Sequence, residues 1–61
     1  VTRHFFYKAI IYMFKAKYFL RVEQDEEKAK ELYGKAVTFA ELLDDDILVK
    51  RILEEKKSDF S

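Results

Sequence analysis

The chain has almost no residues that interrupt a helix. Its 61 residues include no Pro and a single Gly, Gly34, and these two residue types are the strongest local breaks in regular structure. The chain also has no Cys, so neither a disulfide nor a thiolate-bound metal can reinforce it. The sequence therefore predicts an all-α domain of long helices that is stabilised by apolar burial or by association.

The first predicted helix runs from about residue 3 to residue 22 and has two apolar faces. At about 100° per residue, one broad face collects Phe5, Ala9, Tyr12, Met13, Ala16, Phe19 and Leu20. Ala9 and Ala16 are small enough for a neighbouring helix to approach closely. We expect this face to contact a second helix in the core.

The opposite face of the first helix carries a second apolar row. Tyr7, Ile11, Phe14 and Tyr18 follow the spacing i, i+4, i+7 and i+11, and we call these four residues the aromatic stripe. The stripe is extended by Val22 and flanked by Arg3, Lys8, Lys15 and Arg21. A helix that is apolar on two sides is expected to be contacted on two sides. Because a chain of this length buries only about 60% of its surface, the stripe exceeds what the chain is expected to cover.

The second predicted helix spans about residues 26–43. Asp25 precedes it as a suitable N-cap, and Glu26 and Glu27 place negative charge at the positive end of the helix dipole. Its apolar face comprises Ala29, Leu32, Tyr33, Ala36, Phe39, Ala40 and Leu43. The pattern indicates a helix that is buried on one side only.

The third predicted helix spans about residues 46–57. The run Asp44 to Asp46 ends the second helix and caps the third. The apolar residues of the third helix are Leu48, Val49, Ile52 and Leu53. We expect residues 58–61 to fray, although Phe60 is able to fold back onto the apolar face. Short connections make consecutive helices antiparallel neighbours, so residues 1–61 are predicted to form one domain, a helical hairpin with a shorter third helix.

Charge is segregated along the chain although the net charge is zero. Residues 1–22 hold five Lys/Arg and no acid, about +5, whereas residues 23–61 hold seven Lys/Arg and twelve Asp/Glu, about −5. The two parts are therefore expected to neutralise each other within a bundle or to attract partners of opposite charge.

No motif for catalysis or for cofactor binding is visible. His4 is the only His and has no Cys to pair with, and the single Gly excludes a glycine-rich phosphate loop. Asp44 to Asp46 lack the alternating ligands, Gly and terminal Glu of a calcium loop. We therefore predict no enzyme activity, no cofactor and no metal site.

The first helix also has features that suit nucleic acid or a membrane as a partner. The first helix combines five basic residues with aromatics that could stack on bases, so single-stranded nucleic-acid binding is an alternative, but the zero net charge and the acidic second part disfavour it. An aromatic face bordered by Lys and Arg also suits a membrane interface. Lys8, Lys15 and Lys17 exclude a membrane span and no signal peptide is visible, so we expect a cytoplasmic protein.

The segment "EKAKELYGKAVTFAELLDDD" resembles the second helix of a tetratricopeptide repeat through Ala29, Tyr33 and Ala36. Met13 stands where that repeat places the large residue of its first helix, and "DDDILVKRILEEKK" is similar to the helix that caps the last repeat. The resemblance implies one repeat from about residue 10 to residue 43. It also implies that a concave binding surface would be lined by Ile11, Phe14, Tyr18 and Arg21.

The segment "AKELYGKAV" is also similar to the microtubule-interacting-and-transport domain, a three-helix module. Both resemblances imply a scaffold that binds peptides or helices of other proteins. We therefore predict a protein-interaction module, with a protein or peptide partner or a second copy of the chain bound by Tyr7, Ile11, Phe14, Tyr18 and Arg21. The structural alternative is a small bundle in which the third helix covers the aromatic stripe and leaves no free face.

Overall fold

The computed structural model describes residues 2–60, with side chains from His4 onward, and contains three helices. They are α1 (Thr2–Arg21), α2 (Glu26–Leu42) and α3 (Asp46–Phe60). The helices α1 and α2 form an antiparallel hairpin with the most extensive packing, and α3 lies mainly against α2. The predicted all-α hairpin with a shorter third helix is confirmed. The side chain of Arg3, expected to flank the aromatic stripe, lies outside the described part.

Both connections between the helices are short, and in each of them an Asp caps the helix that follows. The Oδ1 atom of Asp25 accepts a hydrogen bond from the backbone N–H of Lys28 at 3.1 Å, and Oδ1 of Asp45 accepts one from the N–H of Leu48 at 3.0 Å. Each bond satisfies one of the N–H groups that the first turn of a helix leaves without an intrahelical partner. Asp44, with φ 56°, takes the left-handed conformation that lets α2 stop and the chain reverse.

The core forms where the three helices meet. Its buried members are Ala9, Met13, Ala16, Leu32, Tyr33, Ala36, Ala40, Leu48 and Ile52. Four of these nine are Ala, which lets the helix axes approach closely, and the largest fully buried side chains are Tyr33 and Ile52. Leu53, one of the apolar residues of the third helix, is 46% exposed, because α3 turns Leu48 and Ile52 toward α2 instead.

Aromatic rings seal one edge of the hairpin. Phe39 of α2 lies between two rings of α1, stacked at centroid distances of 5.9 Å from Phe5 and 5.5 Å from Tyr12. The ammonium of Lys8 lies 5.6 Å from the centroid of Phe39, and that of Lys15 lies 5.5 Å from the centroid of Tyr12. These rings therefore belong to the hairpin contact and not to the aromatic stripe.

The C-terminal end of α3 extends further than predicted. The helix continues to Phe60, three residues beyond the predicted end at residue 57, while Ser61 lies outside the described residues. Phe60 packs edge-on against Tyr33 at a centroid distance of 6.1 Å, and the ammonium of Lys30 lies 5.4 Å from the centroid of the Phe60 ring. Contacts with α2 thus hold the last turn of α3 in place.

Candidate interaction surface

The aromatic stripe lies on the outside of the hairpin. Its side chains are largely exposed: Tyr7 60%, Ile11 50%, Phe14 60% and Tyr18 49%. Helix α3 leaves the stripe uncovered because it packs on α2 and approaches α1 mainly near the C-terminal ends of both helices. With a rise of about 1.5 Å per residue, the row from Tyr7 to Tyr18 is about 16 Å long.

The exposure of the stripe follows from the helix geometry of α1. Ala9, Met13 and Ala16 are buried against α2, and at about 100° per residue the stripe lies roughly opposite to them. Burying one apolar face of α1 therefore turns the other toward solvent. Contiguous exposed apolar rows of this kind are typical of surfaces that bind another protein.

One edge of the stripe is positively charged and carries no carboxylate. Lys8 and Lys15 lie on the α2 side of the stripe, where their ammonium groups contact the rings of Phe39 and Tyr12. Among the described residues, neither lysine has an Asp or Glu within ion-pair distance. Their charge is therefore available to a group that binds along this edge.

The other edge of the stripe is joined to α3. The guanidinium of Arg21 lies 3.1 Å from a carboxylate oxygen of Asp59, and its side chain is 64% exposed. The sequence predicts Arg21 as a partner-binding residue, and the structure places it in an intramolecular ion pair beside the stripe. A role for Arg21 in binding a partner stays a prediction.

Asp59 is the centre of a polar cluster that joins all three helices. Its side chain is 7% exposed and accepts hydrogen bonds from the Tyr33 hydroxyl, from Lys17 Nζ at 3.1 Å and from Arg21 Nη2 at 3.1 Å. Lys17 also pairs with Glu55 at 3.0 Å. We call these five residues the Asp59 cluster. It positions the last turn of α3 against both α1 and α2.

The cluster shifts the pKa values of two of its members in opposite directions. Burial and the hydrogen bond to Asp59 raise the pKa of the Tyr33 hydroxyl. Burial alone would raise the pKa of Asp59, but the hydrogen bonds from Tyr33, Lys17 and Arg21 outweigh it, so this pKa lies below its ordinary value. Asp59 is thus held as a carboxylate and Tyr33 as a neutral phenol. The arrangement is suited to clamping helices together.

Sequence reasoning missed the Asp59 cluster because its members are far apart in the chain. Lys17 and Asp59 are separated by 42 residues. A signal was nevertheless present: Leu48, Ile52, Glu55 and Asp59 follow helical spacing. Two acids that continue a buried row require basic or hydroxyl partners, and Lys17 and Tyr33 are the ones the fold supplies.

The described residues form neither a metal site nor a membrane span. Between residues 2 and 60, no three His, Asp or Glu side chains converge as metal ligands, and His4 is exposed with its ring edge-on to Phe5 at 5.9 Å. In the same part of the chain, none of the helices has both the length and the apolar character needed to cross a bilayer.

A comparison with known protein families matches residues 1–56 to the ComR tetratricopeptide family. The chain belongs to the ComR tetratricopeptide family. This match covers α1, α2 and most of α3, and it confirms the tetratricopeptide resemblance carried by Ala29, Tyr33 and Ala36. Comparisons with curated proteins and with solved structures give no match. Membership in the ComR tetratricopeptide family indicates a protein-interaction module. Domains of this type typically bind other proteins and are not catalytic.

Proposed function

We propose that the chain is a non-enzymatic protein-interaction module that binds a peptide or helix of a partner, or a second copy of itself, through the aromatic stripe. The observation that carries the proposal is the exposure of Tyr7, Ile11, Phe14 and Tyr18, each about half exposed or more, in one row on α1. Large aromatic side chains with a nearby Arg are the residue types that dominate binding energy at protein interfaces. Family membership supports the same class of function.

The alternatives receive less support from the geometry. A bundle without a free face would need α3 over the stripe, whereas α3 packs on α2. Binding of single-stranded nucleic acid would need a row of cations that are free to contact phosphates, but Lys17 and Arg21 pair with the acids of α3, which leaves Lys8 and Lys15 on one edge of the stripe.

The proposal is tested by removing the apolar character of the stripe. The mass of the native chain in solution and its binding to a candidate partner are measured, and the measurements are repeated with Phe14→Asp and Tyr18→Asp combined. We expect binding or self-association to fall at least about 30-fold, the effect of losing roughly 2 kcal/mol of hot-spot energy. Because both side chains are exposed, the melting temperature should change little.

The matched control is Ile47→Asp combined with Leu53→Asp, which adds the same two negative charges to apolar side chains that are 82% and 46% exposed on α3. It should leave both binding and self-association at native values. If the native chain is a monomer and the double substitution alters neither its stability nor its binding, the stripe is not an interface.

A further inference from the structure

The aromatic stripe has properties that restrict what can occupy it. We infer that its occupant is an amphipathic helix from another polypeptide segment, with an apolar face bordered by Asp and Glu. This inference rests on the proposed function and names the chemical class of the partner. Three observations support it: the backbone chemistry of the stripe, its charge, and the lack of a matching face elsewhere on the chain.

The backbone chemistry favours a helix over an extended peptide. The backbone of α1 is already hydrogen-bonded within the helix, so the stripe offers an extended segment no row of backbone partners. Its polar atoms are the hydroxyls of Tyr7 and Tyr18, and the latter donates to Glu23 at 3.3 Å. An extended peptide would leave N–H and C=O groups unpaired against apolar surface, whereas a helix satisfies its own. The row from Tyr7 to Val22 is about 22 Å long, which matches about four helical turns.

The charge of α1 favours an acidic partner. The five basic residues within residues 1–22 are accompanied by no acid, while residues 23–45, which contain α2 and its flanking turns, hold eight acids and three basic residues. Among the residues that the structure describes, the acids that pair with α1 are Glu55 and Asp59 of α3, which bind Lys17 and Arg21. Within residues 2–60, Lys8 and Lys15 contact rings and no carboxylate, so acids on an incoming helix would find cations along this edge of the stripe. Complementary charge of this kind raises specificity and the rate of association.

A second copy of the chain lacks a face that meets these requirements. Two copies of α1 facing each other would bring two basic edges together, and the apolar face of α2 is buried in its own hairpin. The best remaining candidate is the exposed pair Leu42 and Ile47, which lies beside Asp44 to Asp46. Two side chains cannot supply the roughly 800 Å² per partner of a standard interface.

The test uses three synthetic helical peptides of equal length. Each carries Leu at the spacing i, i+4, i+7 and i+11, and the positions beside the Leu row are Glu in one peptide, Gln in the second and Lys in the third. Binding to the chain is followed by fluorescence anisotropy at low salt. We expect the Glu peptide to bind at least about tenfold more tightly than the Lys peptide, a difference of about 1.4 kcal/mol. The preference should shrink near 1 M salt, where the screening length is about 3 Å.

Charge reversal on the chain supplies the reciprocal measurement. Lys8→Glu combined with Lys15→Glu should remove the preference for the Glu peptide and shift it toward the Lys peptide. The matched control is Lys50→Glu combined with Lys57→Glu, an equal change of charge at two exposed positions of α3, and it should keep most of the preference. Circular dichroism melting shows whether each variant is folded before its binding is compared.

The outcomes separate this inference from the proposed function. Equal binding of the Glu and Lys peptides, with loss of both upon Phe14→Asp, overturns the inference and leaves the interface in place. Self-association that Phe14→Asp abolishes and that the Glu peptide does not displace also overturns the inference, in favour of a second copy. Failure of all three peptides to bind also overturns the inference. The proposed function is overturned too only if Phe14→Asp combined with Tyr18→Asp changes neither the mass in solution nor the binding of a partner.

Discussion

The hydroxyl of Tyr33 donates a hydrogen bond to the carboxylate of Asp59, 26 residues further along the chain. This bond joins the middle of α2 to the last turn of α3, and Lys17 extends it to α1 through the same carboxylate. A stability argument based on apolar contacts alone would therefore omit the group that fixes the end of the third helix.

Asp59→Ala is expected to lower the free energy of unfolding by about 3 kcal/mol, because it leaves the buried Tyr33 hydroxyl without its acceptor and removes one of the two carboxylates that pair with Lys17. For a chain of this size that is a large share of the total stability. Urea unfolding measures the change. Glu54→Ala, an exposed carboxylate on the same helix, is the control and should cost less than about 0.5 kcal/mol. Equal losses for the two variants would contradict a special role for the cluster.

The stability contributed by Asp59 should depend on pH in one direction. Its folded-state pKa is below the ordinary value of 3.8, so the native state favours the carboxylate. The contribution is fully present above about pH 4 and is lost as the pH falls through the folded-state pKa. We therefore expect the difference in urea midpoint between the native chain and Asp59→Asn to narrow between pH 6 and pH 3. A difference that stays constant over this range would rule out the linkage.

Adjacent residues on α1 should respond differently to truncation. Met13 is 4% exposed and lies in the core, whereas its neighbour Phe14 is 60% exposed and lies in the stripe. Met13→Ala should cost about 2–3 kcal/mol through lost burial and a residual cavity, whereas Phe14→Ala should cost about 0.5 kcal/mol or less. Thermal unfolding of the two variants under identical conditions provides the comparison. A large loss for Phe14→Ala would mean that the stripe is buried in the folded state.

Gly34→Ala should stabilise the chain. Gly34 is exposed within α2, and a Cβ atom built there meets nothing within 4 Å, so a close contact does not explain the glycine. Replacing Gly by Ala inside a helix is worth about 0.5–1 kcal/mol, which corresponds to a rise of several degrees in melting temperature for a domain of this size. Glu41→Ala, an exposed change on the same helix, serves as the reference. An unchanged or lower melting temperature for Gly34→Ala would show that the low helix propensity of Gly34 does not limit the stability of the chain.

The helical periodicity of the sequence was sufficient to predict which residues of α1 share a face. The positions of Ala9 and Phe14 on opposite faces follow from the helical repeat, which is a local property of the sequence. The caps at Asp25 and Asp45 were predictable for the same reason, since a cap acts within one turn.

The placement of α3 was harder to predict because it depends on contacts between distant segments. Leu53 and Ile52 are both apolar, but only Ile52 faces α2. Which of the two is buried depends on the rotation of α3 about its own axis when it packs on the hairpin. The sequence predicts Arg21 as a partner-binding residue and gives Lys17 no specific role, whereas in the fold both pair with Asp59. Whether the stripe binds a partner depends on a second molecule, which the sequence of this chain does not describe.

The burial of Tyr33 gives the molecule an optical reporter of its own. The chain contains four Tyr and no Trp, and Tyr33 is the fully buried one, whereas Tyr7 and Tyr18 are about half exposed or more. Release of α3 would transfer the Tyr33 phenol from a carboxylate partner to water, which changes its near-ultraviolet absorbance and circular dichroism. Docking of the third helix can therefore be followed in solution without a dye or an added tryptophan, and separately from the total helix content recorded in the far ultraviolet.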